Sequence, residues 1–538
     1  MTASIDLPPE LRPTLRPPLR KEHHFGQQVV ACYPDRPRNL DAMLADAVAR
    51  SAQTIAVVDG DQRMTYAELD REVGHIAAGL AARGVTAGDR VALLLGNGAP
   101  FIVLSFAAAR LGAVTVPLSI RDQMPGIRHA LVNSEAKLLV IEAELAAIIP
   151  PASDTPHLQT RVSIGAAAGF EAYRSLHAPH PHLAPADVDE DDIATILYTS
   201  GTTGVPKGAT LTGLGIIHSA TSFVRCMGLG PQDKTIVTVP MNHVTGLVAC
   251  VHSMIRAAGT IVVMRNFKAP LFLDLAARER MTFSVMVPAM YNLCLHQADL
   301  SDFDLSQWRI GAFGGAPMPA ATIERLAAAL PRLGLMNVYG ATEVSSPATI
   351  MPADQTAARR LSVGLPAPGA EICVMDDQGR EVAPGEAGEL WIRGAMVVPG
   401  YWCNPQADAR EFVAGFWKSG DIGSIDAEGY VHVFDRKKDM INRGGYKIYT
   451  AQVESTLTAV PGVIEAAVVA KPCPILGERV HAVLSVTPDS VTEEALRQHC
   501  AAELSDYQCP ESYTLTEAPL PRNANGKILK REISARLQ

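Results

Sequence analysis

The chain has no C-x-x-C pair, no apolar run long enough to span a bilayer, and no concentration of positive charge. Each absence removes a class of function. The nine cysteines (Cys32, Cys226, Cys250, Cys294, Cys373, Cys403, Cys473, Cys500 and Cys509) are odd in number and lie far apart, so neither a zinc ribbon nor a disulfide framework is readable. Buried reduced thiols in a cytoplasmic protein are the expectation. The apolar stretch from Phe101 to Leu118 is broken by Arg110, and stable membrane insertion is not expected. The first twenty residues mix prolines, arginines and acids where a secretory leader would be apolar. Lysines and arginines number 47 against 56 acids, a net charge of −9, and they are dispersed. That balance disfavours nucleic acid and anionic membrane as partners, although it allows a local basic pocket.

What is present is an ordinary globular composition spread over 538 residues, too many for one core, so two or more domains are expected. Residues 1–38 form a Pro/Arg-rich arm, expected to lie extended over the body without contributing a core element. Beyond it, short β-branched runs alternate with amphipathic stretches. Ile55 to Val58 reads as a strand and Tyr66 to Arg83 as a helix stopped by Gly84; Arg90 to Leu95 reads as a strand, Pro100 to Leu111 as a helix, and Ala113 to Leu118 as a strand. The rhythm returns at Lys137, Thr235, Thr260 and Phe283, which indicates parallel α/β architecture. Near Ala367 it gives way to strands joined by glycine-rich turns, a mostly antiparallel subdomain. Asp435 to Asp439 is a dense charge cluster followed by Gly444-Gly445, where a hinge is expected. The expected fold is therefore α/β: a large N-terminal domain of mixed parallel sheets with flanking helices and an antiparallel subdomain over residues 39–435, then a small mobile α+β domain over 436–538.

The most informative stretch is Tyr198 to Gly208. Thr199, Ser200, Gly201, Thr202, Thr203 and Gly204 set hydroxyls and glycines in a row before Lys207. Such a loop can wrap a polyphosphate: glycines admit backbone N–H groups, hydroxyls add donors, and the lysine supplies a point charge. It is not a Walker A loop, because the G-x-x-x-x-G-K-[ST] order is absent. Four more motifs follow in order. They are Tyr339-Gly340-Ala341-Thr342-Glu343, Ser419-Gly420-Asp421, Asp435-Arg436, and Asn525-Gly526-Lys527 on a turn-rich segment.

Taken together, these motifs resemble the adenylate-forming superfamily of acyl-CoA synthetases, adenylation domains and beetle luciferases, over essentially residues 40–535. The resemblance implies ATP-dependent activation of a carboxylate to acyl-AMP, then transfer to CoA, with ATP, Mg²⁺ and CoA as cofactors. It implies that Thr199 to Lys207 hold the β- and γ-phosphates, and that Thr342 and Glu343 address the α-phosphate and Mg²⁺, with Glu343 the metal ligand. Tyr339 and Gly340, beside the turn Gly314-Gly315-Ala316-Pro317, would receive adenine, and Asp421 with Arg436 the ribose. Lys527 would bridge acyl carboxylate and α-phosphate, and Lys438 would be the pivot that brings Gly444 and Gly445 in for the pantetheine arm.

The acid is less defined. Pro240 to Leu247 resembles the family's acyl-pocket wall, and the resemblance implies that His243 lines the route of substrate or thiol. No aspartate stands between Met241 and Met254 to bind an amino acid's ammonium. Gly340 matches a tryptophan of acetate-activating relatives, implying an acid larger than acetate or propionate. The remaining wall candidates, Val244, Leu247, Val287, Ala312, Val338 and Val363, are apolar, so a fatty or an aromatic acid would fit. Two departures stand out: Asn242 replaces a usual aromatic, and Ile448 to Glu454 lacks the family's proline and first glutamate. The expected partners are a small carboxylic acid, ATP and CoA, with transfer to a carrier protein as the alternative and a homodimer left open.

Overall fold

A computed structural model describes residues 18–26, 28–178, 183–199, 205–522 and 528–537. The helix Tyr66–Ala82 forms where the periodicity predicts it, and its ends have identifiable causes. Thr65 Oγ1 accepts the Glu68 N–H at 3.2 Å while Glu68 Oε2 accepts the Thr65 N–H at 2.9 Å. This reciprocal cap satisfies two donors that no helix carbonyl can reach. Gly84, at φ +76°, then turns the chain away through the left-handed region that glycine enters without strain. Tyr66, Leu69, Val73, Ile76 and Leu80 recur at helical spacing and are all fully buried. Each large apolar side chain so buried contributes about 1.5–3 kcal/mol.

The described residues fall into two compact units. The first comprises Met1–Met318, Thr322–Ile372 and Ile392–Trp417, and the second Pro319–Ala321, Cys373–Trp391 and Lys418–Gln538. The first holds two large sheets. A seven-stranded sheet runs in spatial order from Lys207–Thr212 through Ile193–Thr199, Val114–Pro117, Arg90–Leu94, Leu138–Glu142 and Thr160–Ile164 to Glu171–Ala172. Its pairs are parallel except the first, which is antiparallel. A nine-stranded sheet has a parallel centre: Gly334–Tyr339, Ile310–Phe313, Phe283–Met286, Lys234–Val237, Thr260–Val263 and Ile55–Asp59. Parallel strands require crossovers, and the helices between them supply these.

The expected antiparallel segment is present. Phe416–Ile425 pairs antiparallel with Phe412–Val413 and with Val431–Arg436. In the second unit, strands Ile441–Arg443, Tyr446–Ile448, Val463–Cys473, Gly477–Val486 and Ser512–Thr516 share a sheet. Their core is Ile441, Ile448, Val453, Leu457, Val468, Leu484 and Leu496. The fold is thus the mixed α/β class expected.

One stretch differs from its expectation. Residues 20–32, read as part of an arm outside the core, pair as an antiparallel hairpin of Arg20–His24 with Gln28–Cys32. Val30, Cys32 and Tyr33 are buried. The reason is local: no proline stands between Pro18 and Pro34, so the ladder loses no donor there. Arg36 then fastens the hairpin, meeting Glu22 at 2.8 Å and Glu190 at 2.5 Å. Among the described residues no helix is long and apolar enough to cross a membrane.

Two histidines of the first unit make stability depend on pH. Burial pushes His218 down to about 4 and His252 down to about 3, and both are neutral in the folded chain. Their folded values lie below the unfolded one, so the unfolded chain takes up protons first as pH falls. Their stabilisation is complete above about pH 6.5 and is lost below it. The unfolding free energy should fall by about 2 kcal/mol per histidine between pH 7 and pH 5. Urea titrations at the two pH values check this, and His218→Gln should flatten the dependence.

Candidate active site

The parallel strands Lys234–Val237, Ile310–Phe313 and Gly334–Tyr339 share one direction, so the segments that follow them leave from one edge of the sheet. Those segments carry His243, the Gly314-Gly315-Ala316-Pro317 turn, and Gly340 to Glu343. Ligands of open parallel sheets bind beyond this carboxyl edge. Close packing dictates small residues here. A Cβ on Gly314 would lie 2.2 Å from the Val338 carbonyl oxygen, and Gly315 stands at φ +79°. At Gly340 a Cβ would meet Pro347 Cα and Ser346 Oγ at 3.3 Å. Both contacts are tight without being a clash, so a side chain here would need its neighbours to give by a few tenths of an ångström. Of the wall candidates, Val244, Leu247, Ala312 and Val338 are buried in the core, while Val287 and Val363 keep partial exposure.

The His243 segment is held from below by Asn97, which sequence reasoning did not single out. Asn97 Oδ1 accepts the Met241 N–H at 2.9 Å, and Nδ2 faces the carbonyls of Val237, Val239 and Met264 at 3.3, 3.1 and 3.2 Å. Gly246 packs so closely on this turn that a Cβ would lie 2.2 Å from the Pro240 carbonyl oxygen. His243 Nδ1 lies 3.2 Å from Thr245 Oγ1 and accepts the Thr245 N–H at 3.3 Å. Burial lowers the pKa of this imidazole, which keeps it neutral at physiological pH.

Lys207 and Glu343 are brought to one side chain, Tyr401. The cause is strand pairing: Trp402 N donates to the Gly208 carbonyl at 2.7 Å, Thr210 N to the Gly400 carbonyl at 3.1 Å, and Ala209 bridges Tyr401. The Lys207 ammonium lies 4.0 Å from the centroid of the Tyr401 ring and 2.6 Å from Glu411 Oε2. The Tyr401 hydroxyl reaches Glu411 Oε2 at 2.7 Å and Glu343 Oε1 at 3.0 Å. Burial, with the Glu343 charge beside it, raises the phenol's pKa, so it stays protonated and its one proton can go to one of the two carboxylates at a time. Burial also pushes Glu411 up, but hydrogen bonds from Arg410, Lys207 and Tyr401 outweigh it and hold the carboxyl below the usual range. Lys207, Thr342 and Glu343 are all buried. Thr199 closes the strand opposite Lys207, its hydroxyl 3.4 Å from the Lys207 carbonyl. Tyr401 and Glu411 were not foreseen; the only local signal was Gly400-Tyr401, a glycine and an aromatic after an apolar run.

In the second unit Asp421 and Arg436 are register partners across antiparallel strands, and Arg436 Nε meets Asp421 Oδ1 at 2.6 Å. Lys438 is exposed on the turn that follows. Gly444 and Gly445, at φ +59° and +96°, turn the hairpin between Ile441–Arg443 and Tyr446–Ile448. The departures at Ile448 to Glu454 are satisfied internally. Thr450, in the segment that lacks the family's proline, donates both its N–H and its hydroxyl to Asp435, and proline has neither group. Gln452 accepts from Gln508 at 2.9 Å.

Ser200, Gly201, Thr202, Thr203, Gly204 and Lys527 lie outside the described residues. Tyr339 ends its strand opposite Thr349, and its carbonyl accepts from Ala348 N at 2.8 Å. Among the described residues, Glu22, His24 and Cys32 could bring three metal-donor atoms together. Glu22 is taken there by Arg36 and Arg20, and burial pushes the Cys32 thiol up to about 12, so the group reads as hairpin packing.

Residues 44–402 match the AMP-binding enzyme family, and residues 452–527 match the AMP-binding enzyme C-terminal domain. The long-chain fatty acid–CoA ligase FadD13 of Mycobacterium tuberculosis is 34% identical over 498 residues, 92% of this chain and 97% of that protein. Feruloyl-CoA synthase of Amycolatopsis sp is 34% identical over 496 residues, 90% and 96% of the two chains. Among solved structures, the anthranilate CoA ligase AuaEII in complex with anthranoyl-AMP superposes with a TM-score of 0.87 at 25% identity, covering 94% of this chain and 98% of that one.

Proposed function

We infer, for a chain that belongs to the AMP-binding enzyme family, how its reaction is divided among the residues described above. The chain is an AMP-forming acyl-CoA ligase: a carboxylate and ATP give acyl-AMP and pyrophosphate, and the thiol of CoA then gives acyl-CoA and AMP. The first step drives a carboxylate onto a phosphate, so catalysis is positioning and charge neutralisation. The observation that supports our division is the pair of buried groups, Lys207 and Glu343, joined through Tyr401.

In this reading the Lys207 ammonium takes the β- and γ-phosphates, and Thr342 and Glu343 address the α-phosphate. A buried carboxylate beside a hydroxyl is a hard oxygen donor set that fits Mg²⁺, which when bound neutralises phosphate charge at Glu343. Asp421, oriented by Arg436, accepts from the ribose hydroxyls. Neutral His243 lines the path of acid or thiol without adding a charge to it. None of the nine cysteines forms a disulfide, in keeping with a cytoplasmic location.

The acid is a hydrophobic carboxylate. The apolar wall and the fatty, feruloyl and anthranilate substrates named for similar proteins support this. The test is the purified chain with ATP, Mg²⁺ and CoA against aliphatic acids in one arm and aromatic acids in the other. AMP and a CoA thioester should appear with one arm ahead. Release of ADP, or no AMP with any acid, would overturn the reading.

A further inference from the structure

Glu411 has no part in the roles above, yet it touches the lysine to which they assign the phosphates. The Lys207 side chain is only 8% exposed, so little water reaches its ammonium, and Glu411 meets it at 2.6 Å. Glu411, 18% exposed, closes the short helix Pro405–Glu411 and holds other donors as well. Tyr401 Oη lies 2.7 Å from its Oε2 and Arg410 2.6 Å from its Oε1. The two partners are therefore unequal. A lysine that left Glu411 with no other anion at hand would be a buried unpaired charge, whereas the carboxylate would keep a phenol and a guanidinium.

We propose that Glu411 is a positioning residue acting through Lys207, its carboxylate holding the ammonium in the place that a phosphate oxygen takes in the working enzyme. Phosphates then bind by exchange against an internal anion. The site is pre-organised while empty, and its hold on the pyrophosphate product is moderated. Hydrogen bonds from Arg410, Lys207 and Tyr401 favour the ionised form of Glu411. The proposal rests on the reading of Lys207 as a phosphate-binding residue.

The sign of the effect follows from electrostatics. Glu411→Gln keeps an acceptor for Tyr401 but removes the charge that competes for the ammonium and repels phosphate. Inorganic pyrophosphate, titrated calorimetrically into the full chain, should bind roughly three- to tenfold tighter to Glu411→Gln than to the parent. The thermal upshift produced by pyrophosphate should grow with it. In a Lys207→Ala background most of that gain should vanish, which a merely structural role for Glu411 would not produce. If Glu411→Gln does not fold, Glu411→Asp, which withdraws the charge by one methylene, should move affinity in the same direction. Unchanged pyrophosphate affinity in Lys207→Ala would overturn the assignment of Lys207 itself. Weaker binding in Lys207→Ala with no gain in the Glu411 variants would overturn the exchange and leave that assignment standing.

Discussion

Replacing Lys527 by alanine is expected to slow acyl-adenylate formation by roughly 10²–10³-fold, the scale for losing one preorganised group that stabilises developing charge. Conversion of preformed acyl-AMP to thioester should stay within a few-fold of the parent rate. The asymmetry comes from charge. In the first step a carboxylate and a triphosphate, both anionic, must share one space, and in the role that the resemblance implies for Lys527 its ammonium offsets the repulsion as the new bond forms. In the second step the nucleophile is a thiol and the acyl group is already joined to AMP as a mixed anhydride, with AMP as the leaving group, so the need for that cation is gone. The two rates are read separately, by acid-dependent pyrophosphate release and by thioester formation from synthetic acyl-AMP. Equal loss in both would show that the side chain serves folding or general binding and is not specific to adenylation.

The motif residues themselves were readable in the sequence because they cluster within a few positions of one another. Tyr339 to Glu343 and Gly444-Gly445 are local patterns, and local patterns survive without knowledge of the fold. The helix Tyr66–Ala82 was readable for the same reason, since its cap, stripe and terminal glycine all lie within the segment. What stayed hidden depends on strand register. Tyr401 meets Lys207 only because Trp402 pairs with Gly208, and Glu411 lies 204 residues from its lysine. No window of sequence holds both partners. Gly340 is crowded by Pro347 Cα and Ser346 Oγ at 3.3 Å, a closeness that no local sequence pattern shows. The hairpin at residues 20–32 was missed because prolines on either side coloured the whole arm, although its fifteen-residue interior from Leu19 to Tyr33 contains none.

Asn97→Asp, a change of one amide nitrogen to oxygen, is expected to be among the most destabilising single substitutions in the first unit. The side-chain nitrogen faces three carbonyls with two protons, and the oxygen accepts from Met241, so all of its polar surface is in use. An aspartate would aim a lone-pair-bearing oxygen at those carbonyls and bury a charge beside them. Loss of roughly 3–5 kcal/mol of unfolding free energy at pH 7.5 is expected. The pH dependence carries a definite sign. Such a carboxyl would have its folded pKa raised above the unfolded value, so the deficit against the parent should shrink as pH falls through that folded value and protonation restores one donor. Because both proteins share the histidine effect, their difference isolates this term. The same substitution should loosen the Pro240–Gly246 turn that presents His243, so KM for the acid should rise more than pyrophosphate affinity falls. A deficit below about 1 kcal/mol that is flat in pH would mean that the amide does not hold this turn. The neighbouring strands Lys234–Val237 and Thr260–Val263 would then have to position His243 by packing alone.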